Sequence, residues 1–334
     1  RGKTGPTNFT FRNQYGFTQA PDFSRMNLMN TAEMFAYEER ERFTNTPGWT
    51  YSPNNPAIPA GMNAARKQFL YDSIKAIDTY WPDVLFRTGV SRTHELNMSG
   101  GNEKTKFFMS AGMFDQQGID LGSSLTRYTV RFNLDHTADK LSVRFNNQIG
   151  YSITRFSEGE QLGNSPRNPF QMTYRAKTYE NPFRADGSII FGATTPLALR
   201  QVGNLLEGIQ NSKRTNNQIK LNSGLTIAYK ILPSLTVQNT FGVDVSSDDN
   251  SRYINPASYI GSLQQFQSGL AQEGHRLTSQ IINTSSLVFA KRINNIHEVE
   301  AGAYFEVVRG WSKAMGLTLF NLDPRLTETG QGAG

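Results

Sequence analysis

Three short runs in this chain hold residue types able to do chemistry. Asp135-His136 sets a carboxylate beside an imidazole, the beginning of a general-base pair. Gly100-Gly-Asn-Glu-Lys-Thr105 sets glycines ahead of a lysine and a threonine, the ingredients of a phosphate cradle. Asp244, Asp248, Asp249 and Asn250 supply hard oxygen ligands of the kind calcium takes. None of the three completes its constellation. No G-x-S-x-G elbow accompanies the Asp-His pair, which reads as a solvated turn. The glycine run lacks the phosphate-loop spacing and a following helix, and a hairpin turn accounts for its glycines. The acidic run lacks EF-hand spacing and reads as a hydrated strand end. The four histidines (His94, His136, His275 and His297) stand far apart, with no pair at metal-ligand spacing. Cysteine is absent, which removes thiolate ligands, disulfides and a cysteine nucleophile. The chain therefore reads as a non-enzyme, without cofactor or metal.

The elements around these runs carry more information than the runs themselves. From Leu125 to Arg155 the sequence alternates with a period of two on both arms of a hairpin. Tyr128, Val130, Phe132 and Leu134 point one way; Arg127, Thr129, Arg131, Asn133 and Asp135 point the other. Past the turn Thr137–Lys140, the residues Leu141, Val143, Phe145, Ile149, Tyr151 and Ile153 oppose Ser142, Arg144, Asn146, Gln148, Ser152 and Thr154, with Asn147 alone breaking the apolar row. Each arm reaches the ~9–11 residues that a tilted strand needs to cross a bilayer. All three arginines lie on the polar face. That is the pattern of an outer-membrane barrel wall, apolar outside and polar inside.

The alternation recurs at Thr7–Thr18, Arg92–Gly100, Lys104–Gln116, Asn216–Ile231, Leu235–Asp248, Leu277–Lys291 and Ile296–Arg309, which with the two arms makes nine strands. Short turns at Gly100–Thr105, Thr137–Lys140, Leu232–Ser234 and Arg292–Asn295 alternate with longer excursions at 19–91, 117–123, 157–215, 249–276 and 311–334. Such regular alternation of loop length belongs to an up-and-down barrel with short periplasmic turns and long outer loops. Tyr128 and Tyr151 lie about equally far from their turn, as one interfacial girdle requires, and Tyr229 sits where the opposite girdle would be. The competing reading is a soluble β-protein whose aromatics form its core.

Composition is compatible with the barrel. The mean hydropathy is −0.50 and no apolar run approaches the ~18 residues of a membrane helix, a test that barrel strands escape. The net charge of +6 arises from scattered Lys and Arg with no basic-aromatic cluster, which argues against nucleic acid. The first excursion contains helices. Asn30-Thr-Ala-Glu33 has capping-box spacing ahead of Met34–Phe43, a second helix is expected over Met62–Ile77, and the prolines between them force an irregular connection. The opening Arg1-Gly-Lys-Thr-Gly reads as an interior segment and the glycine-rich end as a loop cut short, so the chain is expected to be part of a longer protein.

Three stretches carry a family resemblance. Asp78-Thr-Tyr-Trp81-Pro-Asp-Val-Leu-Phe86-Arg-Thr-Gly89 precedes His94-Glu-Leu-Asn-Met-Ser-Gly-Gly-Asn-Glu-Lys-Thr105, which leads to Phe107-Phe-Met-Ser-Ala-Gly-Met-Phe-Asp115-Gln-Gln-Gly118. Together they resemble the SusC/RagA family of TonB-dependent outer-membrane transporters, continued by Arg127-Tyr128 and Asn133-Leu134-Asp135. Arg1–Gly5 is similar to the segment where that family's plug hands over to its barrel, so residues 1–6 are expected to be that junction. The resemblance is dense over residues 78–136 and architectural beyond about 157. It implies an all-β, transmembrane antiparallel up-and-down β-barrel, here about nine strands of about 22, with short helices in the first outer loop. It also implies energy-coupled import of an oligosaccharide or oligopeptide across the outer membrane of a Gram-negative bacterium. A SusD-like surface lipoprotein would serve as the lid, and TonB would act through the missing N-terminal part. A passive porin or structural barrel is the alternative.

Two sets of residues are candidates for the work. Arg127, Arg131, Arg144, Gln238, Asp244, Glu298, Glu300 and Glu306 fall on the lumen face, where they line water, hold the plug or touch ligand. Trp49, Tyr51, Tyr179, Phe183, Tyr253, Tyr259 and Trp311 fall in or beside the long excursions, where aromatic rings stack on sugars, pack on peptides or pack on one another.

Overall fold

Period-two alternation becomes a single antiparallel sheet in which every strand pairs with its neighbours in sequence. The computed structural model describes residues 2–157, 168–190, 203–262, 268–294, 296–323 and 325. Its nine strands are β1 (Gly5–Thr18), β2 (Gly89–Gly101), β3 (Thr105–Gln117), β4 (Ser124–Ala138), β5 (Leu141–Arg155), β6 (Ser212–Leu232), β7 (Leu235–Ile254), β8 (Leu270–Ile293) and β9 (His297–Phe320). Strands β1 and β9 are its two edges.

Residues directly opposite in an antiparallel pair share a face. One row runs Phe11, Leu96, Ala111, Val130, Ile149, Leu221, Val245 across β1 to β7. The adjacent row runs Arg12, Glu95, Gly112, Thr129, Gly150, Lys220, Ser246 on the other face. The apolar face lies open, with Phe11 65%, Val130 52% and Ile149 47% exposed. A water-soluble sheet would hide that face, and a sheet solvated by lipid presents it. Three polar side chains on it satisfy one another: Asn239 Nδ2 donates to Asn283 Oδ1 (3.1 Å) and to Ser285 Oγ (2.9 Å). In hydrocarbon an unsatisfied amide would cost about 4 kcal/mol or more.

The turns follow local chemistry. Between β2 and β3, Asn102 Oδ1 accepts from the backbone N–H of Lys104 and Thr105 (2.9 and 2.7 Å). Gly101 there has φ +145°, and a Cβ on it would lie 2.2 Å from the Thr105 carbonyl oxygen, so only glycine fits. The glycines of that run therefore serve a hairpin.

The four later strands run longer than the alternation indicates. β6 to β9 span 21, 20, 24 and 24 residues. Past the ~9–11 residues that hydrocarbon requires, β6 turns polar on both faces at Ser212–Asn217, whereas β9 keeps Met315, Leu317 and Leu319 on the apolar face. The excursion expected over 249–276 thus narrows to 255–269, and the one over 157–215 ends where β6 begins at Ser212. The loop expected over 311–334 is corrected: residues 311–320 are strand, and 326–334 lie outside the described residues. Trp311 pairs with Ser279 on the apolar face and is 47% exposed. With Arg309 and Lys313 it lies farther from the β8–β9 turn than hydrocarbon reaches, an interfacial position rather than a loop tip.

At the long-loop end sit helices α1 (Thr31–Glu41), α2 (Pro47–Thr50), α3 (Ala64–Lys75), α4 (Trp81–Leu85), α5 (Pro169–Arg175), α6 (Gly203–Asn211) and α7 (Tyr259–Ser262). The capping box of α1 is complete: Asn30 Oδ1 accepts from the Glu33 N–H (2.9 Å) and Glu33 Oε2 from the Asn30 N–H (3.0 Å). Asn63 caps α3 through the Arg66 N–H (2.8 Å). The core of this end gathers Phe23, Trp81, Leu85, Phe86, Met172, Ala176 and Leu206.

Candidate functional site

The run Trp81-Pro-Asp-Val-Leu-Phe86 is the hub of the long-loop end. Pro82 sits in the first turn of α4, where its missing N–H costs nothing. Trp81 is 2% and Leu85 1% exposed. The hub grips the β3–β4 connection through Arg87 N–H to the Ile119 carbonyl (2.7 Å) and Leu121 N–H to the Leu85 carbonyl (3.3 Å). It grips the segment after α5 through Trp81 Nε1–H to the Lys177 carbonyl (2.9 Å) and Thr79 N–H to the Thr178 carbonyl (2.8 Å). Two excursions from opposite ends of the β2–β5 meander are thereby clasped together. Thr31 adds a hydroxyl bond to Thr178 (2.8 Å).

A buried carboxylate stabilises the clasp. Glu38 on α1 is fully buried; its Oε1 accepts from Lys177 Nζ (3.2 Å) and the Tyr179 hydroxyl (3.1 Å), and its Oε2 from the Gly48 N–H (3.0 Å). Phe35, Tyr71 and Tyr179 pack around it with rings 5.3 and 5.5 Å apart. Burial, reinforced by Glu39, pushes the Tyr71 phenol up to about 12. Burial, reinforced by Glu38, also raises the Tyr179 phenol.

Glu180 is the exception in this region. It is 4% exposed and its Oε2 has no hydrogen-bond partner. Burial pushes its carboxyl from the ordinary 4.5 up to about 8, against the pull of Lys177. The folded group thus keeps its proton where the unfolded group has lost it. Docking of 176–190 is strongest below pH 4.5, weakens as pH rises toward about 8 and levels off above that. We expect hydrogen exchange at these amides, corrected for intrinsic rate, to show faster opening at pH 8 than at pH 5. Glu180→Gln should flatten that dependence, and an unchanged slope in the variant would assign it to another group.

The loop aromatics divide by environment. Tyr179 is corrected from a contact candidate to a core residue, because its ring is 5% exposed and its hydroxyl is committed to Glu38. Tyr51 is half-buried beside the same cluster. Trp49 lies in α2 under the Arg42 guanidinium, 5.7 Å away. Phe183 is 37% exposed. Tyr253 is corrected from loop to strand: it is the penultimate residue of β7 and packs on Ala271, Leu319 and Leu322. The side chain of Tyr259 lies outside the described residues. Exposed apolar side chains that sequence reading passed over, Phe43, Phe69, Tyr80, Phe170 and Tyr174, stud the same end at 43 to 56% exposure.

On the polar face the structure brings some candidates together and scatters others. Arg127 and Arg131 share a cavity of about 280 Å³ with Glu95, Thr93 and Ser110, and Arg127 lies 5.9 Å over the Phe114 ring. Arg144 is instead tied to Asp135 near the short turn (2.9 Å). Asp244 accepts from Asn222 Nδ2 (3.0 Å) and Glu306 from the Thr284 hydroxyl (2.7 Å). Gln238 faces Ala228 and Ser286. Glu298 and Glu300 stand on the β9 edge opposite Arg292 and Ala290. Glu38, Lys177 and Glu180 had no sequence signal, since burial of an isolated charge depends on which distant segment covers it. Among the described residues no group of three or more His, Asp or Glu stands close enough to hold a metal ion.

Comparison with known proteins agrees with this geometry. No protein-family model matches the chain. It is 23% identical over 225 residues to the TonB-dependent receptor SusC of Bacteroides thetaiotaomicron, covering 61% of this chain and 22% of that protein. It is 24% identical over 234 residues to a TonB-dependent receptor of Formosa agariphila, covering 69% and 21%. Among solved structures, the RagAB peptide importer in its open-open state aligns with all of the chain and 38% of its own, at TM-score 0.77 and 19% identity. The RagAB peptide transporter aligns over the same shares at 0.76. The chain spans about a fifth of the length of the curated relatives it matches. These relatives are receptors and importers rather than enzymes.

Proposed function

We propose that this chain, which its sequence likeness and fold place with the SusC/RagA-type TonB-dependent receptors, is the opening stretch of an outer-membrane barrel for energy-coupled nutrient import. Residues 1–6 are read as the plug-to-barrel junction, and further strands would pair with the open edges of β1 and β9, which lipid does not tolerate. The observation that carries the reading is the two-faced sheet, with an exposed apolar row outside and Arg127, Arg131 and Asp244 inside. The inner wall would pass a polar oligomer, an oligosaccharide or an oligopeptide. A SusD-like lipoprotein would dock on the aromatic-studded loop helices and act as a lid. TonB would act on the plug outside this chain, and ligand would shift the lid between open and closed populations.

Native purification of the full-length protein from outer membranes, with mass spectrometry of co-purifying protein and small molecules, tests this reading. The expected result is a stoichiometric lipoprotein with a bound glycan or peptide. A lone barrel from a gene without plug or TonB-contacting segment would instead establish a passive channel.

A further inference from the structure

We propose that β9 carries a binding site for the headgroup phosphate of an outer-leaflet lipid, formed by Arg309 and Lys313 on either side of Trp311. The site faces lipid rather than the import path, and it rests on the barrel placement of the sheet, not on any cargo. The outward positions of β9 run Val299, Ala301, Ala303, Phe305 and Val307 before the first charge. That run fills the ~9–11 residues a strand spends in hydrocarbon. Arg309, Trp311 and Lys313 take the next three outward positions, at the height of the headgroups. Met315 and Leu317 then resume the apolar row, so the cations form a bounded band rather than the start of a solvated end.

At this height β9 keeps charge off its inner side, where Val308, Gly310, Ser312 and Ala314 stand. Strand β4 does the reverse, with Arg127 and Arg131 inward and Tyr128 and Val130 outward. A cation that needed only water would be served by the lumen. Two cations on the lipid side, with none behind them on their own strand, mark a partner on that side. No acid among the described residues answers them. Their register partners on β8 are Ile281, Ser279 and Leu277, followed on β7 by Val243, Val245 and Ser247. Farther up the same face, Asp249 is held by His275 (2.6 Å), and Glu273 stands opposite Leu317.

Arg309 and Lys313 leave the strand about 13 Å apart, and both long side chains can bend toward the indole between them. The guanidinium offers phosphate a paired N–H fork and the ammonium a point charge. The indole settles where hydrocarbon meets headgroup and turns its N–H to the polar side. Below them Val307 and Phe305 present an apolar track for an acyl chain. Phosphate above and hydrocarbon below describe one occupant, a lipid with an anionic phosphorylated headgroup.

The test titrates the purified full-length protein, in neutral detergent, with diphosphorylated lipid A, with the same lipid after enzymatic removal of its phosphates, and with inorganic phosphate. Native mass spectrometry counts the lipid retained. The phosphorylated form is expected to stay bound and the dephosphorylated form to be lost. A cation beside a charged headgroup is worth about five-fold in affinity, so Arg309→Gln/Lys313→Gln should weaken retention about thirty-fold. Arg309→Lys/Lys313→Arg keeps both charges and should lose far less. Heat-modifiable migration in gels checks that each variant is folded, and the comparison of lipids on the parent protein stands whether or not a variant folds. Equal retention of the two lipid forms, retention of neither, or a folded double-glutamine variant that keeps the phosphorylated lipid would overturn the site. Displacement of the lipid by millimolar inorganic phosphate would overturn the lipid assignment in favour of the free ion. Insertion into neutral phosphatidylcholine vesicles separates site from barrel. A protein that inserts there but ignores lipid phosphate keeps its barrel without the site, and one that does not insert loses the outward assignment of β9 as well.

Discussion

Replacing Trp81 with alanine is expected to release residues 168–190 from the long-loop end while the nine strands stay paired. Trp81 is the largest fully enclosed side chain among the described residues, and its indole N–H donates to the Lys177 carbonyl across the clasp. Truncating a buried Trp costs about 3–5 kcal/mol through lost transfer energy and the cavity left behind. That sum falls on the hub, whose other members, Leu85, Phe86 and Met172, pack directly on the indole cluster. The strand ladders do not depend on it. Trypsin should therefore cut at Arg175 and Lys177 far faster in Trp81→Ala than in the parent, with sheet content by circular dichroism unchanged. Trp81→Phe keeps most of the packing and loses the hydrogen bond, so its cost should be nearer ~1 kcal/mol. Parallel loss of sheet and clasp in the alanine variant would show that hub and sheet are one cooperative unit.

Phe132→Arg is expected to cost about 2–4 kcal/mol of barrel stability, while Asn133→Arg one residue away costs close to none. Both positions lie midway along β4, and they differ only in face. Phe132 sits on the apolar face, its ring 6.0 Å from that of Phe145; Asn133 sits on the polar face opposite Asn146. A charge at Phe132 must stay in hydrocarbon or distort the strand to reach water, whereas one at Asn133 meets water at once. Urea titration of the refolded full-length barrel, followed by its heat-modifiable migration in gels, measures the difference. Equal tolerance of the two substitutions would remove the assignment of faces.

Much of the sheet was legible because hydrocarbon imposes a residue-by-residue rule. Leu125–Arg155 shows both strands and both faces, since each outward position must be apolar. The same rule explains where legibility ended. Above the hydrocarbon, β6 begins with Ser212, Lys213, Arg214 and Thr215, polar on both faces, and no alternation marks it. Helix α1 was visible through its capping box at Asn30, and α3 falls inside the helix expected over Met62–Ile77, its cap at Asn63 emerging only from the structure. α4 and α5 were not, since five and seven residues leave no period to detect and their stability comes from mutual packing. The recognisable Trp81–Gly89 run was evident as a pattern, but its physical duty, gripping Ile119 on one side and Lys177 on the other, required knowing what lies beside it. The lumen charges were placed on their face by parity. Parity cannot pair them across strands, so the cavity shared by Arg127, Arg131 and Glu95 depended on register.

The nearest-neighbour order of the sheet has a kinetic consequence. Every ladder joins strands adjacent in sequence, so within β2–β5 and within β6–β9 each hairpin can close on its own and add to the last with little entropic penalty, while β1–β2 and β5–β6 close over the long excursions. The clasp is different. Its Trp81–Lys177 bond joins residues 96 positions apart, and that closure becomes short-range only after β2 to β5 have paired. A slip of two residues in any of those hairpins would carry the downstream segment about 7 Å along the strand axis, beyond reach of the indole. Formation of the clasp thus selects the correctly registered meander, and the hub at Trp81 acts as a checkpoint on assembly, closing only over a sheet that has been built in order.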